Sequence, residues 1–394
     1  MIFFLMEKLP AAFMYTSTRM ILAALTGLLL SIFLGPWFIR KLYALKIGQP
    51  IRKDECPLLG ELHRKKEDTP TMGGILIIFS MIVALLLWMD WRSSFTFLLL
   101  ATTLVLACLG GWDDYLKLKY KKNSKGLAGR KKLMIQGFLA AFVAAYLLVP
   151  PLSYALRGER WFSPPIIKQE MGSASAPVQI SLRDYASRVY VPFFREPMGQ
   201  FRGKWVVIPF LLMMFVIVGS SNAVNLTDGL DGLASGCLIL VALTLAVFAF
   251  VANNVDLASF LNIVYIEGAS EIAIYLSAFA GACLGFLWYN GFPAQVFMGD
   301  IGSLTLGGVI GVSAVLLKRE LLLGLIGGIF VLEALSVIIQ VISYRYFNKQ
   351  RVFLCAPLHH HFEYKGWPET KVVIRFWIIG LLLALIGLGS IKFQ

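Results

Sequence analysis

Charge is scarce in this chain. Only 15% of its 394 residues are Asp, Glu, Lys or Arg, whereas 58% are hydrophobic, and the mean hydropathy is +0.73. A water-soluble domain carries more charge and less apolar surface. The composition therefore excludes a string of soluble domains and divides the length into membrane spans. Cysteine is sparse as well: five residues, none in a C-x-x-C pair and three inside apolar runs. That excludes a disulfide framework and a cysteine zinc site, and leaves small buried hydrophobes. No internal repeat is visible, although a transporter built from inverted repeats is expected to show one. No cleavable leader is evident, because the first apolar run, 20–39, is too long for one and reads as a permanent span.

Acids are scarcer than bases, 23 against 36, for a net charge of +13. The cations lie in short loops between apolar runs, which argues against nucleic-acid binding. They suit a protein set in an anionic leaflet that handles phosphorylated ligands.

Ten apolar runs are long enough, or nearly so, to cross a bilayer as helices. They cover 20–39, 72–90, 95–112, 133–152, 206–221, 232–252, 272–289, 302–318, 321–344 and 373–391. The loops after runs one, three and nine hold most of the Lys and Arg, so the positive-inside rule makes them cytoplasmic. Segment 253–271 has neither and reads as an outside loop. The expectation is one all-α polytopic membrane domain, 1–394, with about ten transmembrane helices, both termini outside and its polar clusters on the cytoplasmic face. Residues 153–205 form a long external loop, with Ile180–Phe194 as an interfacial helix or short strand.

Five polar clusters stand on the cytoplasmic side. Asp113 and Asp114 close the third run with Lys117 one turn on. A carboxylate pair there is costly in lipid and can hold a divalent ion or take a proton; a solvated helix end with a salt bridge is the plainer reading. The segment from Ser220 to Gly232 spaces Asn222 from Asn225 and Asp228 from Asp231 by three, so each pair can share a helix face. A capped helix–helix turn would also use these residues, but their density favours a ligand. Asp300 is the only charge in Trp288–Leu304, beside Asn290 and Phe297, and suits either Mg²⁺ ligation or an N-cap. In the first loop, cations including Lys66 can neutralise phosphate; membrane anchoring explains the charges equally, but not Thr71 and Gly73. The fifth cluster is His359-His360-His361, where imidazoles can meet phosphate or metal. Glu333, inside the ninth run, reads either as a buried structural carboxylate or as part of a substrate groove.

These residues resemble a known family. Asp113-Asp114 with Lys117, the Asn-x-x-Asn-x-x-Asp-Gly-x-Asp-Gly segment, Phe297-Met298-Gly299-Asp300 and Pro-Leu-His-His-His-Phe-Glu are similar to the phospho-N-acetylmuramoyl-pentapeptide transferases. These belong to the polyprenyl-phosphate N-acetylhexosamine-1-phosphate transferases. The resemblance runs from about Arg64 to the C-terminus. It implies an enzyme of the bacterial cytoplasmic membrane that moves phospho-MurNAc-pentapeptide from UDP-MurNAc-pentapeptide to undecaprenyl phosphate, giving lipid I and UMP in peptidoglycan synthesis. It implies Mg²⁺ on Asp300 with Asp114 nearby, and Asp113 as base or orienter for the lipid phosphate. It makes Lys66, Lys117, Lys125 and Lys132 phosphate contacts. It gives Asn222, Asn225, Asp228, Asp231 and Asn290 the uridine and sugar, with Asp231 on the uracil. His359, His360 and His361 meet the sugar phosphate or peptide, His360 among the catalytic groups; Thr71 and Phe297 join the substrate-binding set. A homodimer is implied too. A sibling transferase for another UDP-sugar is the near alternative, against which the triple histidine argues, and a secondary transporter the distant one. A two-step route through a covalent intermediate on Asp113 or Asp114 is left open beside the one-step transfer.

Overall fold

The computed structural model describes residues 13, 15–45, 69–120, 126–149, 151–152, 168–170, 178–347 and 349–392. The helices are α1 (Thr16–Ala44), α2 (Gly74–Trp88), α3 (Ser94–Tyr120), α4 (Gly129–Leu148), α5 (Leu182–Ala186), α6 (Val207–Thr227), α7 (Leu233–Ala252), α8 (Val255–Phe260), α9 (Ala269–Asn290), α10 (Gly299–Leu316), α11 (Glu320–Ile326), α12 (Gly328–Tyr346), α13 (Leu358–Tyr364) and α14 (Glu369–Gly389). Two small antiparallel hairpins accompany them: β1 (Lys168–Glu170) with β2 (Val178–Ile180), and β3 (Arg188–Val189) with β4 (Gly199–Gln200). Segment 180–194 thus holds a short helix and a short strand where one or the other was expected.

Each of the ten apolar runs coincides with helix, but among the described residues nine helices are long and apolar enough to span. The second run falls short of the expectation. Its helix α2 has 15 residues, about 22 Å at 1.5 Å per residue against a hydrocarbon core of about 30 Å. The preceding residues are drawn into an extended pairing, with Phe297 N–H on Pro70 O and Gly73 N–H on Phe297 O, both at 2.8 Å. The ninth run is also not continuous: it breaks at Gly327 into α11 and α12. A Gly-Gly pair, weak in helix propensity, is a usual place for such a break.

Helix α9 lies at the centre, packed between α1 and α7, and α10 packs against α6 and α3. Both central helices are buried along most of their length. Their small residues let backbones approach, as membrane helices require in the absence of a hydrophobic drive. A Cβ on Gly307 would meet Ser220 O at 2.6 Å, and one on Gly285 would meet Leu28 O at the same distance.

Polar groups concentrate at the two ends of the bundle. At one end Arg19 pairs with Glu271 at 2.9 Å, and Lys318 pairs with Glu320 at 2.5 Å. The 178–202 segment docks there, with Tyr185 Oη donating to Leu317 O and Lys318 Nζ to Ala186 O. The other end carries Asp113, Asp300, Asn290 and the histidines.

Candidate active site

Asp113 and Asp114 do not close α3; the helix runs on to Tyr120, so Lys117 sits one turn above them on the same rod. Asp113 is fully buried and Asp114 is 4% exposed. Asp113 Oδ1 accepts the Leu127 N–H at 2.6 Å. Its Oδ2 lies 2.7 Å from both Lys117 Nζ and Lys132 Nζ. Asp114 Oδ2 accepts the Ile301 N–H at 3.0 Å, one of the orphan donors at the start of α10.

Asp300 is not an N-cap. Met298 holds that place, and Asp300 stands in the first turn, where the helix dipole favours an anion. Gly299 turns the chain with φ of 75°, and a Cβ there would press on Asp114 and Thr71. Asp300 Oδ1 is 3.0 Å from Lys117 Nζ and Oδ2 is 2.8 Å from Lys132 Nζ. Asn225 Nδ2 donates to Oδ1 at 3.0 Å. One oxygen each from Asp113, Asp114 and Asp300 lies within 4.8 Å of the others. Two ammonium groups face three carboxylates, which leaves negative charge for a further cation, and an all-oxygen donor set suits a hard ion. These residues could hold a metal.

The remaining predicted residues divide between site and scaffold. Helix α6 extends through Asn222 and Asn225 but ends at Thr227, so Asp228 and Asp231 lie in a turn and share no helix face. Burial, then the carboxylates of Asp300, Asp114 and Asp231, push the Asp228 carboxyl up to about 7. Asn222 Nδ2 donates to Gln136 Oε1 and Val218 O. Asn290 uses both ends of its amide, donating to Val296 O and accepting from the Gly232 N–H and Ser235 Oγ. Asn290 thus spends both ends of its amide within the protein, and Asn222 spends its Nδ2 on Gln136 and its own helix. Asp231 Oδ2 accepts the Ala294 N–H, and its own N–H donates to Glu369 Oε1. Thr71 is buried and Phe297 is half-buried in the strand-like pairing that brings residues 70–74 against the start of α10. Lys66 and Lys125 lie outside the described residues.

The histidines occupy the first two turns of α13. His359 is fully buried, and a Cβ on Gly229 would run into its Nε2, so it packs against the Asp228–Asp231 turn. Glu333 reaches it from α12, accepting the His359 N–H at 3.1 Å. That contact gives Glu333 its place: a buried carboxylate holding the histidine helix. His360 Nδ1 lies 2.7 Å from Glu363 Oε2. His361 Nδ1 accepts the Leu354 N–H, and desolvation with Lys365 nearby holds its imidazole below the usual range. Gln136, Ser303 and Glu369 belong to this assembly and were not singled out from the sequence. A glutamine in the apolar fourth run was the one available signal.

Residues 96–318 of this helical membrane bundle, which carry the acidic, lysine-bridged cluster, match glycosyl transferase family 4 and so place the chain among glycosyl transferases. Residues 66–78 match the phospho-N-acetylmuramoyl-pentapeptide-transferase signature 1. Proteins of that name are similar over almost the whole chain. The one from Protochlamydia amoebophila is 63% identical over 398 residues, covering 98% of this chain and 96% of its own length. Those from Brachyspira hyodysenteriae and Neisseria gonorrhoeae are 44% and 42% identical, each covering 97% of this chain and 95% of its own length. The chain belongs to the phospho-N-acetylmuramoyl-pentapeptide-transferase family. It is a multi-pass membrane protein, and the transporter reading falls away.

Proposed function

We propose that the chain transfers phospho-MurNAc-pentapeptide from UDP-MurNAc-pentapeptide to undecaprenyl phosphate, forming lipid I and releasing UMP, on the cytoplasmic face of the bacterial inner membrane. The observation that carries this is the meeting of Asp113, Asp114 and Asp300 from two helices, with Lys117 and Lys132 between them. An oxygen of the lipid phosphate attacks the sugar-bearing phosphorus, and the bond from that phosphorus to the UMP oxygen breaks.

Two polyanions must approach, so their repulsion is the main barrier the protein can lower. Asp300 and Asp114 would hold Mg²⁺, which when bound offsets phosphate charge and polarises the phosphoryl oxygens. Lys117 bridges three carboxylates and Lys132 two, and each can swing an N–H toward phosphate. Asp113 spends Oδ1 on a backbone N–H and Oδ2 on both lysines, which supports the orienter role over that of base; the lipid phosphate is already largely ionised near neutral pH. Asn225 and Asp228 flank Asp300 on the donor side, with Asp231 toward the uracil and His360 and His361 toward the sugar and peptide. Lys66 and Lys125 remain proposed phosphate contacts from their sequence position.

Purified, detergent-solubilised protein given undecaprenyl phosphate and Mg²⁺ is expected to release UMP with UDP-MurNAc-pentapeptide and not with UDP-GlcNAc. Release with UDP-GlcNAc alone would assign the chain another glycan. No release from a folded sample would refute the proposal.

A further inference from the structure

One helical turn deeper than the carboxylates, a second polar contact joins three helices. Gln136 of α4 is 1% exposed and Ser221 of α6 fully buried. Gln136 Nε2 donates to Ser221 Oγ at 3.0 Å, and Ser221 Oγ donates to Leu304 O of α10 at 2.8 Å. Asn222 Nδ2 donates to Gln136 Oε1 at 2.9 Å. Both ends of the Gln136 amide are therefore engaged, which fixes its orientation. In an apolar surrounding an unmet amide is costly, so this contact strongly prefers one register.

The same three helices meet again one turn closer to the bundle end. Lys132 lies four residues before Gln136 on α4, Asn225 four after Ser221 on α6, and Asp300 four before Leu304 on α10. Residues four apart share a helix face. At this upper level Lys132 Nζ reaches Asp300 Oδ2 at 2.8 Å and Asn225 Nδ2 reaches Asp300 Oδ1 at 3.0 Å. The lower contact repeats the upper one with uncharged groups. Helix α4 packs along α6 and more lightly along α3, with no extended packing on α10. The reach of Lys132 to Asp300 is thus set by how α4 sits on α6. A slip of one residue, about 1.5 Å along the axis, would break that bond.

We infer that Gln136 is a positioning residue for the transfer reaction: it fixes the register of α4 against α6 so that Lys132 reaches Asp300, which Asn225 of α6 already meets. This rests on the site reading given above. Gln136→Leu leaves Ser221 its bond to Leu304 O and Asn222 its bond to Val218 O, so the variant is expected to fold.

The test is a double-mutant cycle on the full chain, read as UMP release, with Gln136→Leu, Lys132→Ala and the pair. Gln136→Leu is expected to lower kcat by about 10–100-fold, the range for lost supporting contacts, while the melting temperature falls by less than about 5 °C. In the Lys132→Ala background the same change is expected to alter kcat by less than about threefold, because the group it positions is gone. Gln136→Glu, whose protonated carboxyl offers an O–H in place of the N–H, is expected to recover activity toward low pH. Equal losses in both backgrounds, or an unchanged kcat, would overturn the inference. Wild-type turnover in the same assay reports the site reading separately. A readout independent of turnover is bismaleimide bridging of a Lys132→Cys/Asp300→Cys pair. It is expected to slow when Gln136→Leu is added, and an unchanged bridging rate would count equally against the inference.

Discussion

Glu333 accepts the backbone N–H of His359 at 3.1 Å, and its Oε2 stands 3.1 Å from the same residue's Nδ1. The ring contact is close but off line for a hydrogen bond, so the backbone bond is the one that fixes α13, and the ring contact adds electrostatic attraction when the imidazole is charged. A carboxylate within a membrane helix is costly unless it is used. Here it supplies an acceptor to a first-turn N–H of a neighbouring helix, which would otherwise lack one. Glu333→Gln keeps an acceptor but loses the charge, and turnover is expected to fall by about tenfold, as for supporting contacts elsewhere. Gly229→Ala pushes on the His359 ring from the opposite side and is expected to cost as much. UMP release from both variants, at unchanged melting temperature, checks this; a wild-type rate in both would refute it.

Asp113, Asp114 and Asp300 should separate by cation dependence. Asp300→Asn and Asp114→Asn are each expected to cut turnover by about 10³-fold even at saturating Mg²⁺, since an ion of this kind supplies several kcal/mol. Asp113→Asn loosens the two lysines instead. It is expected to cost about 10–100-fold with the Mg²⁺ half-saturation point unmoved. Mg²⁺ titrations of the three variants decide the matter.

Asp228 makes stability depend on pH. Its folded-state value, raised from 3.8 to about 7 by burial and neighbouring carboxylates, means that the folded chain holds a proton there which the unfolded chain has released. The resulting stabilisation is complete below about pH 4 and is lost as pH rises through 7. Asp228→Asn removes this term. Its melting temperature relative to the parent is expected to rise between pH 4 and 7 and to stay level above. A difference flat across that range would contradict the assignment.

At the opposite end, Arg19 and Glu271 form a buried pair whose carboxylate also accepts the Asp90 N–H, while Arg19 Nε donates to Trp88 O. Removing one member strands the other. Glu271→Ala is expected to cost about 3–5 kcal/mol of stability with little effect on the turnover of the protein that remains folded. Replacing both by apolar residues of similar size is expected to restore most of the loss. Denaturation followed alongside UMP release measures both effects.

How much of this was legible beforehand depends on the kind of information. All ten apolar runs fall on helix because length and hydropathy decide which stretches can leave water. The acidic pair, Asp300 and the histidine run stood out because charge and imidazole are expensive in such surroundings. The shortness of α2 and the break at Gly327 were hidden, since both follow from pairing and packing that hydropathy does not record. Asn222 and Asn290 stand out by type, but the sequence does not record that Asn222 Nδ2 meets Gln136 or that the Asn290 amide braces Gly232, Ser235 and Val296. Gln136 passed unnoticed because one glutamine in an apolar run carries no charge to mark it.

The sequence by itself determined that this chain enters a membrane, where its helices run and which residue types must be drawn together. Only the tertiary structure decided that Asp113 faces two lysines while Asp114 faces the start of α10, that Glu333 serves His359, and that Gln136 sets the distance from Lys132 to Asp300. The reason is physical. Transfer of a segment into lipid depends on its own composition, whereas the partner of each buried polar group depends on which helices pack side by side.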